Sequence, residues 1–163
     1  MKYSEAMAGP DRAEWEKEVE KEDKRMKDNK VWKPVPKSLV PKGAKILSTT
    51  WAMKLKASGA RRARVNARGF EQKPGVHYKP DDIAAPVVNE ITVRVIFTIG
   101  LEALWTFWIL DTKGAFLKGD FQNDKEMFMR IPEGMEWFYP GDVILKLLKP
   151  IYGTKQVAMC YWQ

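Results

Sequence analysis

The chain has 163 residues and a net charge of +7, with 45% hydrophobic and 30% charged residues, a composition typical of one globular domain and not of a disordered or fibrous chain. Its single cysteine, Cys160, excludes an internal disulfide framework and a multi-cysteine zinc site. No apolar run approaches the ~20 residues of a membrane span, and the N-terminus lacks the apolar core of a signal peptide, so the sequence predicts a soluble intracellular protein.

The first predicted element is a solvated helix over residues 12–29. Trp15, Val19 and Met26 form a narrow apolar stripe, and glutamate–lysine pairs at i,i+4 spacing support the helix. The charges alternate in sign along this segment. The pattern indicates a polar helix that packs along one seam, and it predicts no chemistry there.

A basic β-hairpin is predicted next. After a proline-rich extended segment, residues 46–56 and 61–70 resemble two strands, and residues 58–60 between them form a turn signal. Residues 31–80 contain twelve basic residues and one acidic residue, an excess that phosphate usually neutralises. The hairpin is therefore predicted to lie along a nucleic-acid backbone or to close over a triphosphate; a merely solvated basic face is the alternative. Its basic residues are Lys54, Lys56, Arg61, Arg62, Arg64 and Arg68.

The second half of the chain is predicted to contain a helix and three strands. A loop over 71–88 leads to Asn89, which is a suitable N-cap for a helix, although the β-branched residues that follow also permit a strand. The apolar run 105–111 is typical of a buried strand, and residues 126–131 and 143–148 have the composition of two more. This order of elements predicts an α+β fold.

Asp111 is the acidic residue with the most informative position. It closes an apolar strand, where a buried carboxylate is costly unless it is paired or binds a metal. Near a basic patch of phosphate size, such a carboxylate fits a Mg²⁺ ligand for phosphoryl or nucleotidyl transfer. Asp81 and Asp82 lie in a proline-flanked loop and are interpreted as a solvated turn, so the pattern provides no second carboxylate on a strand.

Other residues capable of chemistry are interpreted as structural. His77 is the only histidine and has no second base or ligand at a useful spacing, which excludes a hydrolytic triad. No glycine-rich phosphate loop of the GxxxxGK[ST] or GxGxxG type occurs. Residues predicted to lie in the core are Cys160, Trp51, Trp105, Phe107 and Trp108.

Eight motifs follow one another along almost the whole chain. They are Glu14-Trp15, NKVWKPVP (29–36), TTWAMKLK (49–56), ARVNARGFEQKPGVHY (63–78), APVVNEITVR (85–94), ILDTKGAFLKGDF (109–121), MFMRIPEGM (127–135) and KLLKPIYGTKQVAMCYW (146–162). In order and spacing, this set closely resembles the reverse transcriptase domain of Ty1/copia-type LTR retrotransposon polyproteins.

The resemblance implies an α+β, right-hand polymerase fold that comprises fingers and a partial palm and is truncated before the second catalytic strand pair. Residues 1–30 would form an N-terminal charged helix, and residues 31–163 would form a partial reverse transcriptase domain. Within that domain, the resemblance assigns 31–88 and 119–155 to the fingers and 89–118 and 156–163 to the palm.

The resemblance also implies roles for individual residues. Asp111 matches the family's first catalytic aspartate and would bind the Mg²⁺ ions of the complete polymerase, with the Thr112 carbonyl as a further ligand. Phe116 matches the aromatic steric gate that rejects a 2′-hydroxyl. Other residues expected to contact the incoming nucleotide are Lys56, Arg64, Gly114, Ala115, Gly153 and Gln156. The implied partners are a dNTP and an RNA or DNA template-primer, whose backbone would contact residues 54–68; no membrane partner is implied.

The sequence departs from the family pattern in its last part. Thr154 replaces a leucine, and the Tyr-x-Asp-Asp hairpin with the second and third catalytic aspartates does not occur before Gln163. Because one carboxylate cannot hold two Mg²⁺ ions, the chain is predicted to be a polymerase fragment that is inactive alone. The alternatives are a non-catalytic nucleic-acid-binding remnant that uses the basic hairpin, and an unstable relic. The family's replication cycle implies a cytoplasmic virus-like particle or the nucleus.

Overall fold

The computed structural model describes residues 1–112, 114–121 and 126–162, and it contains a mixed set of helices and strands. The helices of the described residues are α1 (Tyr3–Ala8), α2 (Arg12–Asp28), α3 (Glu90–Glu102) and α4 (Val157–Trp162). The strands are β1 (Trp32–Pro36), β2 (Ile46–Leu47), β3 (Thr49–Leu55), β4 (Arg61–Ala67), β5 (Met127–Met129) and β6 (Val143–Leu147). Short 3₁₀ turns connect several of these elements.

A four-stranded sheet has the strand order β1-β6-β5-β2. The pairs β1–β6 and β5–β6 are antiparallel, whereas β2 and β5 are parallel. The proline-rich segment that the sequence predicts as extended chain forms β1, which lies at the edge of this sheet. An edge position accommodates Pro34 and Pro36 because neither can donate a backbone hydrogen bond.

The predicted basic hairpin is confirmed as the antiparallel pair β3–β4. Its register pairs Leu55 with Arg61, and the connecting turn contains Gly59 at φ 78°. Alternate residues of β4, namely Ala63, Val65 and Ala67, are buried. The residues between them lie on the opposite face of the ribbon, since strand side chains alternate with a period of two.

The predicted first helix is confirmed as α2, and it packs against β4. Trp15, Val19 and Met26 are buried as the apolar stripe predicts. The same face also buries two adjacent acids, Glu22 and Asp23, which the interpretation as a helix packing along one apolar seam does not anticipate.

Helix α3 begins where the sequence predicts, because the Asn89 side chain accepts a hydrogen bond from the Thr92 N–H (3.0 Å). It ends in a Schellman motif: Leu104 adopts φ 55°, and the Trp105 N–H donates to the Gly100 carbonyl (2.8 Å). The chain then turns back, so that the Phe107 ring packs on the Phe97 ring with 4.6 Å between centroids. Most apolar side chains of α3 nevertheless remain exposed.

The prediction of a buried strand at residues 105–111 is wrong. The segment has no regular secondary structure, and Trp108 and Ile109 are 84% and 95% exposed. A strand requires a neighbour that pairs with its backbone, and no described strand lies beside this segment. Among the aromatic residues predicted to lie in the core, Trp51 is buried, whereas Trp105, Phe107 and Trp108 are exposed.

The core lies between α2, the hairpin and the four-stranded sheet. Its fully buried side chains include Met26, Leu47, Val65, Met129, Leu145 and Ile151. Cys160 and His77 are also buried, and His77 Nδ1 accepts a hydrogen bond from the Lys73 N–H (2.9 Å). Among the described residues, no helix combines the length and apolar character needed to cross a membrane.

A buried chain of hydrogen bonds joins α2 to the four-stranded sheet. The Tyr139 hydroxyl donates to Asp23 Oδ1 (2.6 Å) and accepts from Trp32 Nε1 (2.8 Å). Burial, reinforced by the Asp23 carboxylate, raises the pKa of Tyr139 well above its ordinary value. The phenol therefore stays protonated and keeps donating to Asp23.

We expect Tyr139→Phe to lower the free energy of unfolding by about 1–3 kcal/mol, because it leaves Asp23 and the Trp32 N–H with fewer partners. Tyr152→Phe is the matched control, since the Tyr152 hydroxyl is buried and has no hydrogen-bond partner in the described ranges. Its removal should change stability by no more than about 0.5 kcal/mol. Urea denaturation of both variants measures the difference, and equal losses would contradict the assignment.

Candidate functional site

A cavity of about 530 Å³ opens between the last turn of α2, the basic hairpin and the segment around Asp111. This volume lies within the range of roughly 300–1,000 Å³ that is usual for small-molecule sites. The residues that line it are Arg25, Asn29, Lys56, Arg62, Arg64, Asp111, Thr112 and Gly114. Four of these side chains are basic and one is acidic, so the cavity favours an anionic ligand.

The alternation of strand β4 assigns its arginines to two different surfaces. Arg62 and Arg64 line the cavity. Arg61 lies between Asp11 (2.7 Å) and Glu14, with its guanidinium 5.8 Å from the centre of the Trp15 ring. Its side chain is 20% exposed. Arg61 is therefore paired within the chain and attaches the hairpin to α2, while its contact with a polyanion stays a prediction.

Arg64 is held in place by an aromatic ring. Its guanidinium carbon lies 4.9 Å from the centre of the Tyr152 ring, an arrangement that favours a cation and restricts the side chain. Its Nε is buried and has no hydrogen-bond partner among the residues that the structure describes. Arg64 lines the cavity, where the rest of its guanidinium can donate to an anionic ligand.

The segment that carries Asp111 completes the cavity wall. Asp111 and Thr112 are exposed, and Gly114 adopts the left-handed conformation (φ 66°) that precedes a short 3₁₀ turn. The structure therefore brings together five of the residues that the sequence predicts as site residues. They are Lys56, Arg64, Asp111, Thr112 and Gly114.

The other predicted site residues do not line this cavity. The Phe116 ring contacts Tyr152 and Tyr161 edge-on, each at 6.2 Å between centroids, and the neighbouring Ala115 is half-buried. The nucleotide contacts of Ala115 and Phe116 remain predictions, as does the steric-gate role of Phe116.

Gly153 and Gln156 have internal contacts in the structure. Gly153 has φ 87°, and a Cβ atom there would collide with the Ala67 carbonyl oxygen. Gln156 is buried; its Oε1 accepts from Gln72 Nε2 (3.0 Å), and its Nε2 donates to the His77 carbonyl (3.3 Å). These contacts explain why the two residues fit this turn, while their contact with a nucleotide stays a prediction.

Two cavity residues, Arg25 and Asn29, are not predicted from the sequence, because both belong to the helix segment for which no chemistry is predicted. Asn29 Nδ2 donates to the Arg25 carbonyl (2.8 Å) and thereby caps the end of α2. The sequence feature that relates to Arg25 is its i,i+3 spacing from Glu22, which favours an ion pair on a helix. This spacing does not reveal which face of the helix lines the cavity.

Residues 29–163 match the family described as reverse transcriptase (RNA-dependent DNA polymerase), and the chain belongs to this family. Similar proteins are the retrovirus-related Pol polyproteins from transposon TNT 1-94 of Nicotiana tabacum and from transposons RE2 and RE1 of Arabidopsis thaliana. No solved structure matches the chain.

The similarity covers most of this chain and a small part of each relative. Identity to the tobacco polyprotein is 33% over 93% of the chain, to RE2 28% over 82%, and to RE1 29% over 62%. The aligned segment makes up 11%, 9% and 7% of these relatives. The expected resemblance to retrotransposon reverse transcriptases of the Ty1/copia type is thereby confirmed, and the alternative of a non-catalytic remnant is not favoured.

Reverse transcriptases generally use a divalent metal, so the donor set of the cavity is relevant. Asp111 is the acidic residue among the residues that line it. The described part of the chain contains no group of three histidine, cysteine, aspartate or glutamate residues that could hold a metal ion. These residues therefore offer one carboxylate ligand and do not form a complete two-metal site.

Glu22 lies behind the cavity wall and is fully buried at 0% exposure. Its Oε1 accepts a hydrogen bond from the Val65 N–H (3.2 Å), and its Oε2 lies 3.2 Å from Arg25 Nη2. Desolvation raises the pKa of Glu22, and it outweighs the opposing effects of Arg25, the Val65 N–H and Arg64; Glu18 adds to the increase.

This shift predicts how the stability of a Glu22→Gln variant depends on pH. A raised pKa means that the folded protein binds the Glu22 proton more tightly than the unfolded chain does. The contribution of Glu22 to stability is then fully present below about pH 4.5, its ordinary pKa, and is lost as pH rises through the folded pKa. Glutamine keeps an acceptor for the Val65 N–H and does not titrate.

We therefore expect the stability of Glu22→Gln, relative to the unmodified chain, to increase as pH rises from about 4.5 towards neutrality. Denaturation at a series of pH values measures this difference, and the values at the acidic end serve as the internal reference. A relative stability that decreases with rising pH would show that the pKa of Glu22 is lowered instead.

Proposed function

We propose that the chain forms the nucleotide-binding part of an RNA-directed DNA polymerase. In this proposal, the cavity binds the triphosphate of an incoming dNTP, with Arg64 and Lys56 as the principal cations. The observation that carries it is the convergence of Lys56, Arg62 and Arg64 of the hairpin with Asp111 around one cavity. Membership of the reverse transcriptase family supports the same function.

The two hairpin cations differ in what they can contribute. Arg64 presents a planar fork of donors that matches phosphate oxygens, and the Tyr152 ring limits the orientations that it samples. Lys56 lies at the end of β3 on an exposed turn, where a flexible ammonium group can follow the terminal phosphates. Together they would neutralise charge on the triphosphate and hold it at a fixed place beside Asp111.

Asp111 is proposed to supply one carboxylate to the Mg²⁺ that accompanies the triphosphate, with the Thr112 carbonyl as a neighbouring ligand. Bound Mg²⁺ would neutralise phosphate charge and lower the cost of bringing a triphosphate to a carboxylate. Because the described residues do not complete a two-metal site, no catalytic step is assigned to the metal.

The finer fold assignment is likewise proposed. Residues 31–88 and 119–155 would belong to the fingers, and residues 89–118 and 156–163 to the palm of a right-hand polymerase. The exposed apolar side chains of α3 and of residues 104–110 support this proposal, because apolar surface of this extent is usually covered by other structure. Strands packed beside residues 105–110 would supply the pairing that this segment lacks.

The proposed macromolecular partner is an RNA or DNA template-primer. Its backbone would contact the exposed basic residues between 54 and 68, and Arg61 would not take part because it is paired within the chain. Binding of this kind depends on phosphate charge and gives little sequence specificity. A cytoplasmic virus-like particle or the nucleus is the proposed compartment, in keeping with the similarity to retrotransposon polyproteins.

Titration with dATP tests the triphosphate site. We expect Arg64→Gln to raise the dissociation constant of Mg²⁺–dATP about tenfold or more, since it removes charge-assisted hydrogen bonds. Arg94→Gln is the matched control, because Arg94 is exposed on α3 and pairs with Glu90. Equal affinity of the Arg64 and Arg94 variants would contradict the assignment.

The same titration, made with and without Mg²⁺, tests whether Asp111 is a metal ligand. Asp111→Asn should bind metal-free dATP at least as well as the unmodified chain, because a negative charge beside the phosphates is lost. It should also lose the gain in affinity that Mg²⁺ gives to the unmodified chain. Retention of that gain would remove Asp111 from the metal site; Asp142→Asn, an exposed change far along the chain, serves as the control.

A further inference from the structure

Arg25 reaches the proposed triphosphate cavity from α2, a helix whose sequence predicts no chemistry. Its side chain is 37% exposed, and among the described residues its guanidinium makes one ion pair, with Glu22 at 3.2 Å. A guanidinium carries five N–H donors, so one carboxylate oxygen leaves most of them available. The cavity therefore has a fourth cation that does not belong to the basic hairpin.

The contrast with Arg61 shows that this pairing differs from a purely structural one. Arg61 is enclosed by two carboxylates, Asp11 and Glu14, and by the Trp15 ring, and it does not line the cavity. Arg25 pairs with one carboxylate, that of Glu22, and also lines the cavity. Its guanidinium is therefore held by Glu22 and can still contact a ligand in the cavity.

Glu22 is held firmly enough to orient Arg25. Its side chain is completely buried, and its Oε1 is fixed by the Val65 N–H of β4. Within the described part of the chain its Oε2 has no hydrogen-bond partner, and it makes an ion pair with Arg25. Val65 follows Arg64 directly, and Glu22 thus ties the position of Arg25 to the strand that carries the main triphosphate ligand.

The direction of α2 makes a cation at this place favourable for binding an anionic ligand. Arg25 and Asn29 lie at the C-terminal end of the helix, where the helix dipole carries negative partial charge. A triphosphate in the cavity would be repelled by this end of the helix. A guanidinium in the last turn offsets that repulsion at the point where it arises.

We propose that Arg25 is a further triphosphate-binding residue and that Glu22 is the positioning residue that holds it. The proposal rests on the triphosphate site proposed above and extends it to α2, outside the basic hairpin. It implies that the N-terminal helix is part of the nucleotide site as well as a support for the hairpin.

Binding of Mg²⁺–dATP to the full chain tests the role of Arg25. Arg25→Gln should raise the dissociation constant about tenfold, and Arg25→Lys should recover part of the affinity because it restores the charge without the fork. Arg12→Gln is the matched control: Arg12 lies on the same helix, pairs with Glu16 (2.7 Å) and does not line the cavity. Melting temperatures of all variants establish that they are folded.

A double-mutant cycle tests the role of Glu22. Glu22→Gln keeps an acceptor for the Val65 N–H and should raise the dissociation constant severalfold when Arg25 is present. In the Arg25→Gln background the same change should have no further effect. An equal effect in both backgrounds would show that Glu22 acts on the fold alone, and it would overturn the positioning role.

The outcomes separate this proposal from the one on which it rests. If Arg64→Gln weakens binding and Arg25→Gln matches the Arg12→Gln control, the triphosphate site stands and the role of Arg25 is overturned. If the unmodified chain does not bind dATP with or without Mg²⁺, both proposals are overturned. Weaker binding by the Arg25 variant with an unchanged control supports the inference.

Discussion

Two adjacent carboxylates buried on α2 hold the two sheets of the molecule in one arrangement. Glu22 accepts a hydrogen bond from Val65 in the hairpin, and Asp23 accepts one from Tyr139, which in turn binds Trp32 of the four-stranded sheet. Buried carboxylates are costly unless they are paired, so these contacts specify how the helix is oriented. Displacing α2 would separate both acids from these two donors, because Val65 and Tyr139 lie outside the helix.

The position of the site follows from that arrangement. With α2 fixed against β4, one face of the strand meets the helix, and the opposite face is left to the cavity. Arg61 is on the first face and serves the fold, whereas Arg62 and Arg64 are on the second and face the cavity. Because strand side chains alternate with a period of two, neighbouring arginines of β4 lie on opposite faces, so that one stabilises the fold and the others line the cavity. Family membership and cavity charge both support the proposed ligand, a nucleoside triphosphate.

Local signals predicted much of the fold, and contacts between distant segments account for the rest. The apolar stripe of α2, the alternation of β3 and β4 and the Asn89 cap are each encoded within a few residues, and all are confirmed. The strand predicted at 105–111 is wrong because a strand depends on a partner that local composition does not specify. The position of Arg25 at the cavity was not predicted, because its orientation depends on Glu22. The hydrogen-bond partner of Glu22, Val65, lies 43 residues away along the chain.

The most direct test of the central claim is hydrogen–deuterium exchange of the full chain with and without Mg²⁺–dATP. A ligand that binds the folded state slows local opening around its site. We expect slower exchange in two separate segments, residues 22–29 of α2 and residues 54–65 of the hairpin, with β6 unchanged. Protection of the hairpin alone would contradict the part assigned to α2. Unchanged exchange in both segments under saturating dATP would contradict the site itself.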